Sequence, residues 1–456
     1  MKNWLSIFFL FSFAFATSTQ VSSDVADWNG DELTLSSHVE VDHELGKILA
    51  DEAIMKGDPL SELYLNGNVK LFSQKGGKLF CDSASFFQEK RLAHFSSEKA
   101  LNYTQDDFEI SCQNAECYFG KNMDLPRFTL FEIEHLLFMN HVHIRYGNEY
   151  SAMGGKAILK NIVGHDETFV QGTLTLFPQT PSYKCQLNHR QNQIFASQIS
   201  MDLSRSEITC KFSSGSIVLP MMGKEILHTF SADHLFLKKD LGEMILKGNV
   251  TIIGAEGLEM TSDRMILTAS ESNYTITALG QTTFHFPQGS SLTCSGCVHW
   301  NNAENKIEMQ AEKEPLIFED EHITLLARQG TLLYDHDKEI KFQKVNFENE
   351  VKIITSEFEK GTSYGMADKV VYFPDKQQCI LTAEDEHNVL FWNETDSIRL
   401  SASEIHIEED QRTEQYHVEG KGKVRFTFDM EGEDVLKKFL SKYLDLKNRS
   451  SNIAEK

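Results

Sequence analysis

Proline is scarce in this chain, 8 residues in 456. That excludes a proline-rich, loop-dominated or polyproline build. Basic residues are also in short supply: 44 Lys and Arg face 67 Asp and Glu, for a net charge of −23. A surface so acidic repels nucleic acid and anionic membrane faces, so neither is expected as a partner. Past the first 16 residues no apolar run approaches the ~20 residues that a spanning helix needs, so no membrane span is expected in the processed chain. Helical periodicity is missing until the last 25 or so residues. Catalytic signatures are missing too. There is no G-x-S-x-G, no H-E-x-x-H and no phosphate-cradling glycine loop, and carboxylates are too evenly spread to single out a glycosidase pair. No enzyme activity and no cofactor is expected.

What the chain does contain is a repeated strand grammar. The clearest unit runs from Ile245 to Thr268, ILKGNVTIIGAEGLEMTSDRMILT. Val250 and Ile252 alternate with Thr251 and Ile253, and Leu258 and Met260 alternate again after Gly254 and Gly257. Period-two apolar spacing broken by Gly-Asn and Gly-x-x-Gly reads as short strands joined by tight turns, with Gly248-Asn249 as one of the turns. The grammar returns at Leu33–Met55, at Leu63–Phe87, and around His141-Val142-His143-Ile144. It returns again from Ala278, Phe347, His387 and Val418. Unit openers lie roughly thirty to forty residues apart, a spacing seen in stacked repeats whose units bury their apolar faces on one another.

Alternation sets Val39 and Val41, Val69 and Leu71, Val250 and Ile252 on one face. It does the same for Val351 and Ile353, Val389 and Phe391, and Val424 and Phe426. Such a face closes as a dry core in any β-sandwich, and by itself it does not reveal a groove.

The ends read differently. Lys2, the apolar run Trp4–Phe13 and Ala14-Phe15-Ala16 form a secretory signal over residues 1–16. Residues 17–30 are small and polar, a flexible leader. Modules are expected at 31–220 and 229–430, separated near Pro220–Thr229. In 431–456, Val435, Leu436, Phe439, Leu440, Tyr443 and Leu444 share one face of an amphipathic helix. It either covers an open β edge or docks to a partner.

Eight cysteines permit disulfides in an oxidising compartment but fix no pairing. Cys294-Ser-Gly-Cys297 lacks the βαβ setting of a redox site and the second pair of a zinc site. It is expected to be a structural disulfide or two buried thiols around a Ser295-Gly296 turn. His141 and His143 share a strand face without a third ligand and read as surface histidines rather than a metal site.

Taken together, the repeats resemble the OstA-like family, the lipopolysaccharide-transport periplasmic proteins of the LptA type, to which the N-terminal periplasmic domain of LptD is related. The likeness is carried by Gly67-Asn68-Val69 with Cys81-Asp82 and by Gly248-Asn249-Val250 with Ser262-Asp263. Looser copies start from His38, Asn140, Glu350, Asn388 and Gly422, and the likeness thins out between residues 165 and 230. The resemblance implies an all-β, elongated β-jellyroll, a V of stacked antiparallel strands, with a short C-terminal helix added from the helical periodicity. It implies a periplasmic, non-enzymatic carrier of lipopolysaccharide or lipo-oligosaccharide that contributes to outer-membrane assembly. The acyl chains would lie along the inner face just named, and other OstA-like jellyrolls would join by edge-strand pairing. The rival expectation is a structural envelope protein with a closed core and no lipid. An enzyme acting on envelope polysaccharide is a more distant third.

Overall fold

A computed structural model describes residues 20–428, except for short internal stretches of which 120–132, 162–171, 336–340 and 356–361 are the longest. The expected signal segment 1–16 and the expected C-terminal helix lie outside the described residues. Within them the protein is all β. Thirty-two strands are joined by turns, with a single 3-10 turn at Pro374–Lys376, and every pairing described below is antiparallel. Two compact units divide the chain: 1–255 with 262–274, and 256–261 with 275–456.

The Gly-Asn pairs are not hairpin turns. Gly67 and Asn68 (φ 72° and 49°) sit inside the strand Glu62–Ser73, and Gly248 and Asn249 (φ 76° and 45°) inside Glu243–Ile253. The same left-handed pair occurs at Ser37-His38, Asn140-His141 and Asn349-Glu350. At each Gly-Asn pair the register slips by one residue. Asn66 faces Glu52 and Lys70 faces Leu49, so three residues oppose two. Lys247 faces His234 and Thr251 faces Ser231 in the same way. This is a bulge, which bends the strand and increases its twist.

An aspartate on the preceding strand holds the bend. Asn68 Nδ2 donates to Asp51 Oδ2 at 2.7 Å, and Asn249 Nδ2 to Asp233 Oδ2 at 2.8 Å. Where the neighbouring bend has no asparagine, backbone takes its place. Glu98 N donates to Asp82 and Glu384 N to Asp368, both at 2.8 Å. The repeated residues are therefore bend-builders, one pair per two strands.

Bending gives several of the long strands two halves with different neighbours. Of Tyr150–Asn161, residues 150–153 pair with 186–189 and residues 156–161 with 172–177. Of Glu207–Met221, residues 207–211 pair with 198–202 and 214–216 with 193–195. Each unit thus has two half-sheets whose inner faces oppose one another. In the second unit Phe284 reaches Trp300 (ring centroids 6.3 Å) and Phe318 reaches Phe347 (6.2 Å) across the interior.

Four further expectations are corrected. Gln20–Ser22 and Val25–Trp28, expected as leader, are strands against Glu40–Asp42 and Leu33–Ser36. Backbone pairing at a sheet edge needs no apolar alternation, and Asn29 Oδ1, accepting from Glu32 N at 2.9 Å, fixes the turn between Val25–Trp28 and the next strand. The segment Pro220–Thr229 is no boundary but part of one hairpin, with Pro220 opposite Glu225 inside the first unit. Ser295-Gly296 is no turn either, because Ser291–Asn301 is a single strand. Gly296 is required there since a Cβ would collide with the Gln310 carbonyl oxygen. Finally, Val424 and Phe426 are exposed, Phe426 by 59%. Phe426 pairs with buried Leu400 and so shares the core face, but it belongs to the last described strand and no described residue covers it.

Candidate functional site

Ten of the twelve residues picked out by alternation are buried: Val39, Val41, Val69, Leu71, Val250, Ile252, Val351, Ile353, Val389 and Phe391. They are packed core. None of them lines the opening described next.

In the first unit the two half-sheets part at one end into a cleft of about 820 Å³. One wall carries Ile217 and Leu219, from the half of Glu207–Met221 that pairs with 224–229. The other carries Leu237 and Met244, which face each other across neighbouring strands, with Leu267 beside them. The rim is charged but balanced in sign, with Arg190, Lys224 and Lys238 against Glu149, Glu225 and Glu243. Arg190 Nη2 meets Glu149 at 3.0 Å, Lys238 Nζ meets Glu243 at 4.0 Å, and Gln191 Nε2 donates to Glu225 at 3.1 Å. An apolar interior behind a ring of self-neutralised polar groups suits an uncharged chain better than an ion.

Two histidines mark the same end. His189 stacks flat on Tyr150 (centroids 4.3 Å, planes 2° apart), and its buried Nδ1 has no hydrogen-bond partner. His228 lies opposite Ile217 with Nδ1 at 3.1 Å from the Ile226 carbonyl oxygen. Burial lowers the pKa of His189, with the Arg190 charge adding to it and Glu149 opposing, and burial lowers that of His228 as well. The unfolded chain therefore binds these protons more readily than the folded one. The stability contributed is present above about pH 6.5 and is lost as pH falls through the lowered folded values. We expect the thermal midpoint to drop between pH 7 and pH 5. The His189→Asn/His228→Asn double variant should show a shallower drop in the same melts, and parallel curves would deny the histidines this role.

The second unit has filled its interior instead. Phe284, Phe286, Trp300, Phe318, Tyr334, Phe342 and Phe347 touch in one chain of ring contacts, with Phe286 and Phe342 at 4.6 Å and Phe318 and Phe342 at 5.9 Å.

All eight cysteines are free thiols, seven of them buried. Burial pushes Cys81 up to about 12 and Cys294 up to about 11, so the reactive thiolate is suppressed. Cys294 and Cys297 face opposite sides of their strand and form no bridge. Among the described residues no group of three His, Cys, Asp or Glu is placed to hold a metal ion, and no helix is long and apolar enough to cross a membrane.

Sequence reasoning missed the cleft residues. Leu237 and Met244 carry the same alternation as Val250, but they lie at the strand ends away from the bulge. Ile217 and Leu219 fall in the stretch where the Gly-Asn signature fades.

No family model matches this chain, and no curated protein matches it. A solved structure, LptH of Pseudomonas aeruginosa, is described as the LptA-homologous periplasmic component of a conserved lipopolysaccharide transport device. It aligns over 32% of this chain and 98% of its own, with 8% identity and a TM-score of 0.26. So loose an overlay carries no argument, and the all-β assignment rests on the strands themselves.

Proposed function

We propose that this protein is a non-enzymatic periplasmic lipid carrier of the lipopolysaccharide-transport kind, which takes acyl chains into the cleft of its first unit. The observation that carries this reading is the apolar opening between the half-sheets, lined by Ile217, Leu219, Leu237, Met244 and Leu267. These side chains are themselves little exposed, so a chain would enter by parting the rim. The rim pairs are surface contacts worth little each, and separating them costs about 1 kcal/mol or less apiece. Transport then needs no bond to be made or broken. The repeat residues support a bent-strand fold rather than lipid contact, since Gly248, Asn249 and Asp233 are spent on the bulge. Edge pairing with related jellyrolls would use the ends of the described sheet, where Trp28 and Phe426 stand exposed.

A second reading is favoured by the aromatic filling of the second unit: a closed, structural envelope protein without lipid. Photo-crosslinking separates the two. A photoreactive residue at Leu219 or Met244, in cells that make lipopolysaccharide, should give lipid adducts. The same residue at buried Val250 or at Thr251 should give none. A folded protein silent at Leu219 and Met244 as well would leave the closed structural reading in place.

A further inference from the structure

The cleft has a polar neighbour. A recess of about 640 Å³ lies on the outer face of the first unit, over the row in which Glu109, Arg145, Ser151 and Asn188 pair strand by strand. Glu149, Tyr150 and Arg190 line both the recess and the cleft. The two spaces therefore meet at the hairpin tips, where Arg190 N also donates to the Glu149 carbonyl oxygen at 3.3 Å.

The charges within the recess cancel. Arg145 Nη1 lies 3.3 Å from Glu109 Oε2, and Arg190 is held by Glu149. Asn188 Nδ2 donates to Ser151 Oγ at 3.4 Å, and His143 adds an imidazole. A phosphate or carboxylate would meet Glu109 and Glu149, and a cation would meet the two guanidinium groups. A sugar hydroxyl both donates and accepts, so it can be satisfied by guanidinium, carboxylate, amide and hydroxyl alike.

We propose that the recess is a headgroup site for the sugar of a glycolipid whose alkyl part occupies the adjoining cleft, with Arg145 and Asn188 as its specificity-determining residues. The proposal rests on the cleft reading and adds to it the class of headgroup.

The test uses the full chain and three probes below their micellar concentrations: dodecyl maltoside, dodecylphosphocholine and dodecanoate, titrated by calorimetry. Dodecyl maltoside should bind about tenfold or more tighter than the other two, a difference of about 1.4 kcal/mol. In an Arg145→Ala/Asn188→Ala variant that ratio should fall to about one. Arg145 is exposed and Asn188 half-buried on the outer face. Neither belongs to the core, and an exposed ion pair such as Arg145–Glu109 contributes little to folding. Equal affinity for all three probes, lost in Met244→Asp, would overturn the headgroup site while the cleft stands. So would a maltoside preference that survives the double substitution. Failure of every probe to bind a folded wild-type chain would remove the cleft reading itself, and the headgroup site with it.

Discussion

Gly248→Val is expected to lower the unfolding free energy by about 3 kcal/mol, read as a shift in the urea midpoint at unchanged slope. Two causes combine. The residue sits at φ 76°, where a β-branched side chain is strained, and its Cβ would lie 2.5 Å from Asp233 Oδ2. The causes can be separated. Adding Asp233→Ala removes the collision but not the dihedral strain, so the pair should recover part of the loss, and the two changes will be non-additive. Asn249→Ala removes one exposed hydrogen bond and should cost only about 1 kcal/mol. If Gly248→Val left the midpoint in place, the bulge would not be what holds that strand.

The second large effect is expected at Phe318. It is fully buried and bridges Phe342 and Phe347. Alanine there should cost about 3–5 kcal/mol, because neighbouring rings from both half-sheets prop the cavity open. Leucine keeps much of the volume and should cost less, about 1.5 kcal/mol or so. Urea unfolding followed by the near-ultraviolet signal of the aromatic cluster would report both. A small loss for Phe318→Ala would mean that the interior collapses around the gap, and that this unit is looser than its ring contacts indicate.

Much of this fold can be read from period-two spacing alone. Val39, Val69, Val250, Val351 and Val389 turn inward because a strand must alternate, and no tertiary knowledge is needed to say so. The Gly-Asn pairs were conspicuous, but their role was not, for a local reason. Two consecutive left-handed residues serve a tight hairpin turn and an in-strand bulge equally well. The partner that decides between them, Asp51 or Asp233, is about sixteen residues away and visible only once strands are paired.

Pro220 misled in the opposite direction. Proline is tolerated close to a hairpin end, where few ladder bonds are lost. Val424 and Phe426 show the limit of face assignment, since alternation names a side of the sheet but burial needs something opposite it. The cleft was illegible for the same reason. Leu237 lining an opening and Leu235 sealed in the core carry the same local pattern, and only the distance between half-sheets tells them apart.

The bend has one more consequence. Left-handed pairs and aspartates sit on alternate strands, at 67–68 and 248–249 against 51 and 233. The architecture therefore has a parity. Inserting or removing two strands returns every bent strand to an aspartate-bearing neighbour, whereas a single strand would set bulge against bulge and carboxylate against carboxylate along the whole corner. Such a molecule can change its length only in steps of a hairpin, which is a reason for the repeat to be written in pairs of strands from the start.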